Sequence, residues 1–285
     1  MNLQIQHFFD PATSTLTYVV FDKNTQDAVV IDPVWDYDPA SGKMATKSMD
    51  PVVAYLKENN LRPHYVMETH AHADHLSSSQ LFKNFFPDIK VAIGERITEV
   101  QKVFKGVFNL EDLHTNGQDF DLLLKDGQEL QAGSLKIKTI FTPGHTPACA
   151  SYLIEDALFT GDAIFMPDSG TGRCDFPAGS AENLYDSVMN RIYVLPEKVR
   201  IFVGHDYQPN GRALQYQTTV AEQKTQNIQL KGHTSKEEFI KFRTERDKTL
   251  AAPKLLLPSI QVNIRAGHLP QPENNGTRYL KLPLR

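Results

Sequence analysis

The first part of the chain consists of short apolar runs with turn residues between them. The turn sequences are Asp10-Pro11 and Lys23-Asn24, and residues of this kind commonly separate neighbouring strands. The pattern therefore predicts the start of an antiparallel sheet. Its three strands are expected at Leu3 to Phe9, Leu16 to Phe21 and Ala28 to Ile31.

Helical and strand patterns alternate in the next segment. Asp50 is suited to cap a helix over residues 50–60, and Pro51 suits its first position. Beyond it, the pattern predicts a strand at 63–67, a helix at 76–86 and a strand at 90–93. Residues 95–119 combine an amphipathic stretch with a polar connection that contains glycine. We expect this segment to be an insertion over a cleft.

A second strand-rich block follows, and the last third of the chain is more helical. Strands are predicted near residues 120–124, 129–130, 135–141, 151–154 and 157–160, and helices at about 181–192, 211–224 and 235–249. The chain has 285 residues, 40% of them hydrophobic, which is enough for one large domain. We expect a catalytic domain over residues 1–250 and a C-terminal extension, residues 251–285, that packs on it.

Charge and hydropathy narrow the range of functions. The formal net charge is -4, with no local run of lysine or arginine to bind nucleic acid. No segment approaches the eighteen or so consecutive apolar residues of a membrane span, and the first residues do not resemble a signal peptide. The expectation is a soluble cytoplasmic protein that acts on a small molecule, without nucleic acid or membrane.

The chain contains two cysteines, Cys149 and Cys174. Two cysteines cannot form a disulfide framework, and this number suits a reducing compartment. Thiol reactivity depends on an electropositive setting, so the favoured interpretation for both is an inert, partly buried thiol. A metal or persulfide sensor that signals through one of them is the alternative, although a sensor would need an output that this sequence does not show.

Residues 69–75 read Thr-His-Ala-His-Ala-Asp-His, three histidines and a carboxylate with alanines between them. In an extended segment alternate residues share a side, so His70, His72 and Asp74 can converge while His75 faces the neighbouring space. A helical zinc site would need histidines four residues apart on one face, which this spacing excludes. The segment therefore predicts a metal site, with ligands for two adjacent ions.

Three further segments place a ligand at the end of an apolar strand. His145 lies in the turn Thr-Pro-Gly-His-Thr-Pro, Asp162 follows Phe-Thr-Gly, and His205 follows Ile-Phe-Val-Gly. A histidine held between prolines loses little entropy when it is fixed, and a carboxylate at a strand end can coordinate one ion or bridge two. We expect these residues to complete the metal site.

Together these motifs resemble the ligand motifs of the metallo-β-lactamase superfamily, in the same order, over residues 1 to about 225. The resemblance implies an α/β fold, the αββα sandwich, with a metal cleft at one edge of two facing sheets. Within the superfamily, the segment Gly-Thr-Gly-Arg-Cys-Asp-Phe at 170–176 and the tail at 257–267 are similar to the bacterial persulfide dioxygenases. Glu68, before the motif, is similar to that group as well.

That group implies one Fe(II) per chain, held by the residues that match His70, His145 and Asp162. Two histidines and one carboxylate leave open positions for a substrate sulfur and for dioxygen. The remaining ligand candidates would then orient ligands and water around the iron; they are His72, Asp74, His75 and His205. The candidates for binding substrate are Arg173, Tyr207 and Arg212, although Arg173 is equally suited to pair with an acid such as Asp175.

The implied reaction is the oxidation of glutathione persulfide by dioxygen and water to sulfite and glutathione, as in sulfide detoxification. All seven positions of a two-metal site are filled, so the ligands alone leave open two zinc or iron ions. The alternative function is glyoxalase II-like hydrolysis of a hydroxyacylglutathione thioester, although no helical glutathione-binding domain is evident. A rhodanese-type sulfurtransferase as persulfide donor and a homodimer also stay open.

Overall fold

Two six-stranded β-sheets form the centre of the fold in a computed structural model that describes residues 1–284. The first sheet is antiparallel across its first three strands and parallel across the others. In spatial order its strands are β1 (Leu3–Asp10), β2 (Thr15–Asp22), β3 (Asp27–Ile31), β6 (Arg62–Glu68), β8 (Lys90–Gly94) and β9 (Leu122–Leu124).

The second sheet is antiparallel except where its fourth and fifth strands pair in parallel. Its strands are β10 (Glu129–Ala132), β11 (Leu135–Phe141), β12 (Ala150–Ile154), β13 (Ala157–Phe159), β14 (Arg200–Phe202) and β15 (Gln217–Thr219). A small third sheet joins a hairpin to the segment after residue 75. It contains β5 (Lys43–Ala45), β4 (Val34–Asp38) and β7 (Leu76–Ser77).

Strand β2 shows why the first sheet needs cover on both faces. Alternate side chains of a strand point to opposite faces. Leu16 and Tyr18 lie in the core shared with the second sheet, whereas Val19 and Phe21 lie in a separate cluster with the residues of helix α1 (Asp50–Glu58). All four side chains are buried, so β2 has no solvent face.

Helices cover the outer faces of both sheets, which confirms the αββα sandwich. With α1, the first sheet carries α2 (Ile97–Val107) and a helix of the C-terminal segment, α6 (Leu256–Asn263). The second sheet carries α3 (Ala181–Ser187), α4 (Val220–Gln226) and α5 (Lys236–Asp247). A π-helical turn at Val188–Ile192 continues α3, and 3-10 helices lie at Ser79–Asn84 and Pro209–Gly211.

The helix predicted at 76–86 is wrong. Leu76 and Ser77 instead form β7, because they pair with Trp35 and Val34 of β4, and only a 3-10 helix follows. Serine hydroxyls compete for local hydrogen bonds and favour turns over helix interiors. The three serines at 77–79 therefore weaken helix formation where the long-range β4 contact adds strand pairing.

The helix predicted at 211–224 begins too early in the sequence. Residues 217–219 form β15, and α4 starts at Val220. Thr219 accepts a hydrogen bond from the backbone of Glu222, whose side chain accepts one from the backbone of Thr219. This capping box fixes the helix start.

Asp50 does not cap α1 as predicted. Met49 occupies the capping position, and its side chain makes no hydrogen bond there.

The segment at 95–119 lies in the outer helical layer and not over the cleft. Its helix α2 packs against Val91 and Ile93 of β8, and Ile260 and Ile264 of the C-terminal segment join the same cluster. No residue of 95–119 lines the cleft described below.

In the described part of the chain, no helix is both long enough and apolar enough to cross a membrane.

Candidate metal centre

The predicted ligands meet at the carboxyl ends of four strands. The motif at 69–75 follows β6, and His145, Asp162 and His205 follow β11, β13 and β14. Backbone contacts fix these loops: the N–H of Ala150 donates to the carbonyl of Thr69 at 2.9 Å, and His205 forms an isolated β-bridge with Thr15 of β2. Neighbouring strand ends therefore bring residues far apart in sequence into one site.

His70, His145 and Asp162 form the tightest triplet. Their ligand atoms lie within 4.8 Å of one another, and all three side chains are buried. The Nδ1 atom of His145 donates to the carbonyl oxygen of Arg173 at 2.7 Å, which leaves Nε2 with its lone pair. Burial lowers the pKa of His70 well below its ordinary value, with help from His72 and His145. A neutral imidazole is the form that binds metal.

Unpaired buried atoms show that this triplet fits a cation. His70 Nε2 and Asp162 Oδ1 are buried and make no hydrogen bond within the described residues, and the same holds for His75 Nε2 in the neighbouring group. Buried polar atoms without partners are rare because each costs desolvation free energy. A divalent cation coordinated by imidazole nitrogen and carboxylate oxygen would satisfy both atoms, and this donor set suits iron, zinc or copper.

His72 points its Nε2 atom at two buried carboxylates. This atom lies 3.1 Å from Asp32 Oδ1 and 3.4 Å from Glu68 Oε2. Burial lowers the pKa of His72, but the charge and hydrogen bond of Asp32, with a further contribution from Glu68, raise it well above its ordinary value. His72 does not belong to the triplet of His70; its ligand atoms lie within 4.8 Å of those of Asp32 and Glu68 on one side and of Asp74 and His75 on the other.

Local donors hold the two carboxylates in place. Asp32 accepts hydrogen bonds from the backbone N–H and the hydroxyl of Thr69, at 2.7 and 2.8 Å. Glu68 accepts from the hydroxyls of Ser77 and Ser79. The sequence analysis did not assign a role to Asp32, although it follows the apolar strand β3 as the ligand residues follow theirs. That strand-end position is the signal that could have identified it.

Asp74, His75 and His205 lie beside the triplet. His75 Nδ1 is 2.9 Å from Asp74 Oδ2, and His205 Nε2 is 3.5 Å from Asp74 Oδ2 and 3.3 Å from Asp162 Oδ1. Burial lowers the pKa of His205, but Asp162 and Asp74 raise it. The structure thus brings all seven predicted ligands into one region, with Asp162 adjacent to both groups.

The C-terminal helix reaches into this region through Asn263, which the sequence analysis did not single out. Its side-chain Nδ2 donates to the carbonyls of His72 and His75, each at 2.8 Å, and its Oδ1 accepts from the N–H of Ser77 at 2.8 Å. Hydrogen bonds from a side chain of α6 therefore fix the backbone of the metal motif. No local motif marks Asn263, because its partners lie far away in the sequence.

A cleft of about 1220 Å³ opens on the centre. Four of the predicted ligands line it: Asp74, His75, His145 and Asp162. Tyr207, predicted to bind substrate, lines the cleft with 55% of its surface exposed, and its ring stacks on that of His205 at 5.6 Å between centroids.

The two predicted arginines are paired with acids. Arg173 lines the cleft but binds both carboxylate oxygens of Asp175, at 2.5 and 2.6 Å. Arg212 binds Asp168 and Asp206 and does not line the cleft. The geometry therefore does not support the expected contact of Arg212 with substrate. Its guanidinium instead holds the loop that carries Asp206.

Gly172, in the glycine-rich turn, packs directly against the backbone of Asp162. A Cβ atom at this position would lie 2.1 Å from the carbonyl oxygen of Asp162. Backbone cannot approach a side chain so closely, so only glycine lets the turn pack against the loop that carries Asp162. This close approach accounts for the second glycine of the Gly-Thr-Gly-Arg sequence.

Residues 10–205 match the Metallo-beta-lactamase superfamily, and the chain belongs to this superfamily. Among its relatives, Glyoxylase B2 of Dictyostelium discoideum is 50% identical, with 99% of this chain and 97% of that protein covered. The human mitochondrial persulfide dioxygenase ETHE1 is 31% identical, with 92% and 88% covered. The crystal structure of ETHE1 from Myxococcus xanthus superposes with a TM-score of 0.75 at 30% identity, with 93% and 100% covered.

Proposed function

We propose that this protein is a non-haem iron persulfide dioxygenase that converts glutathione persulfide, dioxygen and water into sulfite and glutathione. The observation that carries the proposal is the buried triplet of His70, His145 and Asp162, beside which His72 Nε2 lies 3.1 Å from Asp32 Oδ1. The triplet offers two histidines and one carboxylate, a set typical of iron(II) oxygenases. The similarity to the two persulfide dioxygenases, in sequence and in structure, supports the same activity.

In this proposal the triplet holds one Fe(II), which would supply the redox chemistry between the terminal sulfur and dioxygen. The chain itself orients and encloses the reactants. The bond from His145 to the carbonyl of Arg173 fixes the ring and its tautomer. Tyr207, which lines the cleft, presents a hydroxyl to the substrate. A sulfurtransferase is the class of enzyme that would supply the persulfide, because such enzymes transfer sulfane sulfur to thiols.

A second function is favoured by Asp74, His75 and His205. Together with Asp162, these residues would form a second metal site. Two adjacent cations suit hydrolysis by a metal-bound hydroxide. The relative at 50% identity is named as a glyoxylase. The runner-up is therefore hydrolysis of a glutathione thioester at a dinuclear site, with the same cleft binding the glutathione.

Metal content of the anaerobically purified protein tests the proposal. We expect about one iron per chain, held by His70, His145 and Asp162; a second ion at His72, Asp74 and His75, whose ligand atoms also lie within 4.8 Å of one another, would bring the content to two. Elemental analysis after removal of loosely bound ions measures it, and a His233→Ala variant serves as the control because this histidine is exposed and outside the site. Two zinc ions per chain would favour the thioester hydrolase.

A further inference from the structure

The outer part of the cleft carries three lysines without partners. Lys43, Lys47 and Lys254 line it, and all three are exposed. None makes an ion pair or a side-chain hydrogen bond with any residue that the structure describes. Arg173, the other cation of the lining, is already bound to Asp175. The three lysines are therefore the cations of this cleft that are free to bind a substrate.

The acids of the same outer region are engaged by local donors. Asp36 accepts hydrogen bonds from the backbone N–H and the hydroxyl of Ser48, at 2.9 and 2.8 Å. Asp38 accepts from Ser41 and the N–H of Ala40, which lower its pKa. Asp10, a buried acid of the same cleft lining, is held in its own turn by the backbone N–H and the hydroxyl of Thr13. These carboxylates order the turns of the cleft wall, and they leave the lysines unpaired.

The wall that carries the lysines is fixed to the metal motif. Strand β4 pairs with β7, which starts directly after His75. Trp35 and Met44 of the hairpin pack with Leu76 and with Leu255, the neighbour of Lys254. The hairpin, the motif and the start of the C-terminal segment thus form one packed unit. Its lysines line the same cleft as His145 and Asp162 of the ligand triplet.

We propose that Lys43, Lys47 and Lys254 form a carboxylate-binding subsite for the end of the substrate that is remote from the reacting sulfur. The inference rests on the proposed function and assigns the residues that select glutathione persulfide, through its free carboxylates, over small or uncharged persulfides. A reacting sulfur at the centre needs little room, whereas the cleft of about 1220 Å³ holds a whole ligand. The hairpin supplies an apolar wall for its body and the lysines bind its carboxylates.

Steady-state kinetics with two substrates test this subsite. The substrates are glutathione persulfide and its dimethyl ester, which masks both carboxylates. The triple variant Lys43→Gln, Lys47→Gln, Lys254→Gln should raise KM for the free acid roughly tenfold and leave kcat within about twofold, because remote binding is the same in the ground and transition states. KM for the ester should not change, so the preference for the free acid disappears.

The matched control is Lys102→Gln, Lys138→Gln, Lys241→Gln, which removes three exposed and unpaired lysines that do not line the cleft. It should behave as the wild-type enzyme does with both substrates. An equal KM for glutathione persulfide in the wild-type enzyme and the cleft variant would overturn the subsite. So would an equal loss in the control, which would reflect overall charge.

Binding of S-methylglutathione by calorimetry separates failure of the subsite from failure of the proposed function. If the protein consumes no oxygen, but the cleft variant binds this probe roughly tenfold more weakly than the control variant, the dioxygenase proposal falls and the subsite stands. If both variants bind it equally well, the subsite is overturned whatever the reaction is. Melting temperatures of both variants show that the fold is retained.

Discussion

Asn263 Nδ2 lies 2.8 Å from the carbonyl oxygen of His72, across 191 residues of sequence. The same amide bonds His75 and Ser77, and the side chain is only 4% exposed. The loop that carries four ligand candidates is therefore positioned by a residue of the C-terminal helix α6. Truncation before this helix should damage the metal centre as well as the fold.

Asn263→Ala should lower the free energy of unfolding by about 3 kcal/mol, because the change leaves several buried backbone groups of the motif unpaired. It should also weaken iron binding. Urea denaturation and iron content after dialysis against a chelator measure the two effects. Asn183→Ala is the control, since this asparagine is exposed in α3 and its side chain makes no hydrogen bond with a described residue. Equal stability and iron content in the two variants would contradict the role of Asn263.

His145→Ala should lose most of the iron, whereas His72→Ala should keep a substantial part of it. The reason is that His145 belongs to the triplet with His70 and Asp162, while Nε2 of His72 faces Asp32 and Glu68. Iron per chain, measured with the oxygen consumption of each variant, checks this prediction. Equal metal loss in both variants would point to a site in which His72 is a ligand.

Asp27 should make the fold sensitive to acid between pH 4 and pH 2. Burial raises its pKa, but hydrogen bonds from His64 and the N–H of Ser134, with Thr25 and Arg62, bring the pKa down to about 2. A depressed pKa stabilises the folded state above the ordinary value of the carboxyl, and the stabilisation is lost as the pH falls through the folded value. We expect protonation of Asp27 to lower the free energy of unfolding by about 1–2 kcal/mol. The value is modest because Arg62, one of its partners, is largely exposed.

The acid dependence can be measured by urea denaturation of metal-free protein at several pH values. Asp27→Asn should be less stable than the wild-type protein at pH 6, and the difference should shrink as the pH approaches 2. Asp88→Asn, at an exposed position, is the control. A constant difference between Asp27→Asn and wild type across this range would rule out titration of Asp27 as the cause.

The two cysteines should not react with thiol reagents in the folded protein. Burial raises the pKa of Cys149 to about 12, and it raises the pKa of Cys174 as well. Both side chains are buried, so the thiolate that reacts is scarce near neutral pH. Labelling with iodoacetamide at pH 7.5, followed by mass spectrometry, should find no modified cysteine until the protein is denatured. Rapid labelling of either residue would revive the sensor hypothesis.

The sequence predicted those site residues whose position is indicated by the residues next to them in the chain. His70, His145, Asp162 and His205 each follow an apolar strand, and strand ends of packed sheets converge, so their meeting could be inferred without coordinates. Asn263 could not be inferred in this way. Its partners are set by how α6 packs across the motif, which is a tertiary contact with no sequence period.

The errors in the fold have a similar origin. Leu76 and Ser77 form a strand because they pair with Trp35 and Val34, which lie in a hairpin that the sequence analysis did not predict. The three lysines of the cleft were missed for the same reason. Lys43 and Lys47 belong to that hairpin region, and only the packing of Leu255 brings Lys254 beside it.

Oxygen uptake by the iron-loaded protein tests the central claim most directly. An oxygen electrode follows the reaction with glutathione persulfide and, in parallel, with S-lactoylglutathione. The dioxygenase account predicts one dioxygen consumed and one sulfite formed for each persulfide, with little release of glutathione from the thioester. Rapid release of glutathione from S-lactoylglutathione, together with no oxygen uptake on persulfide, would contradict it and establish the hydrolase instead.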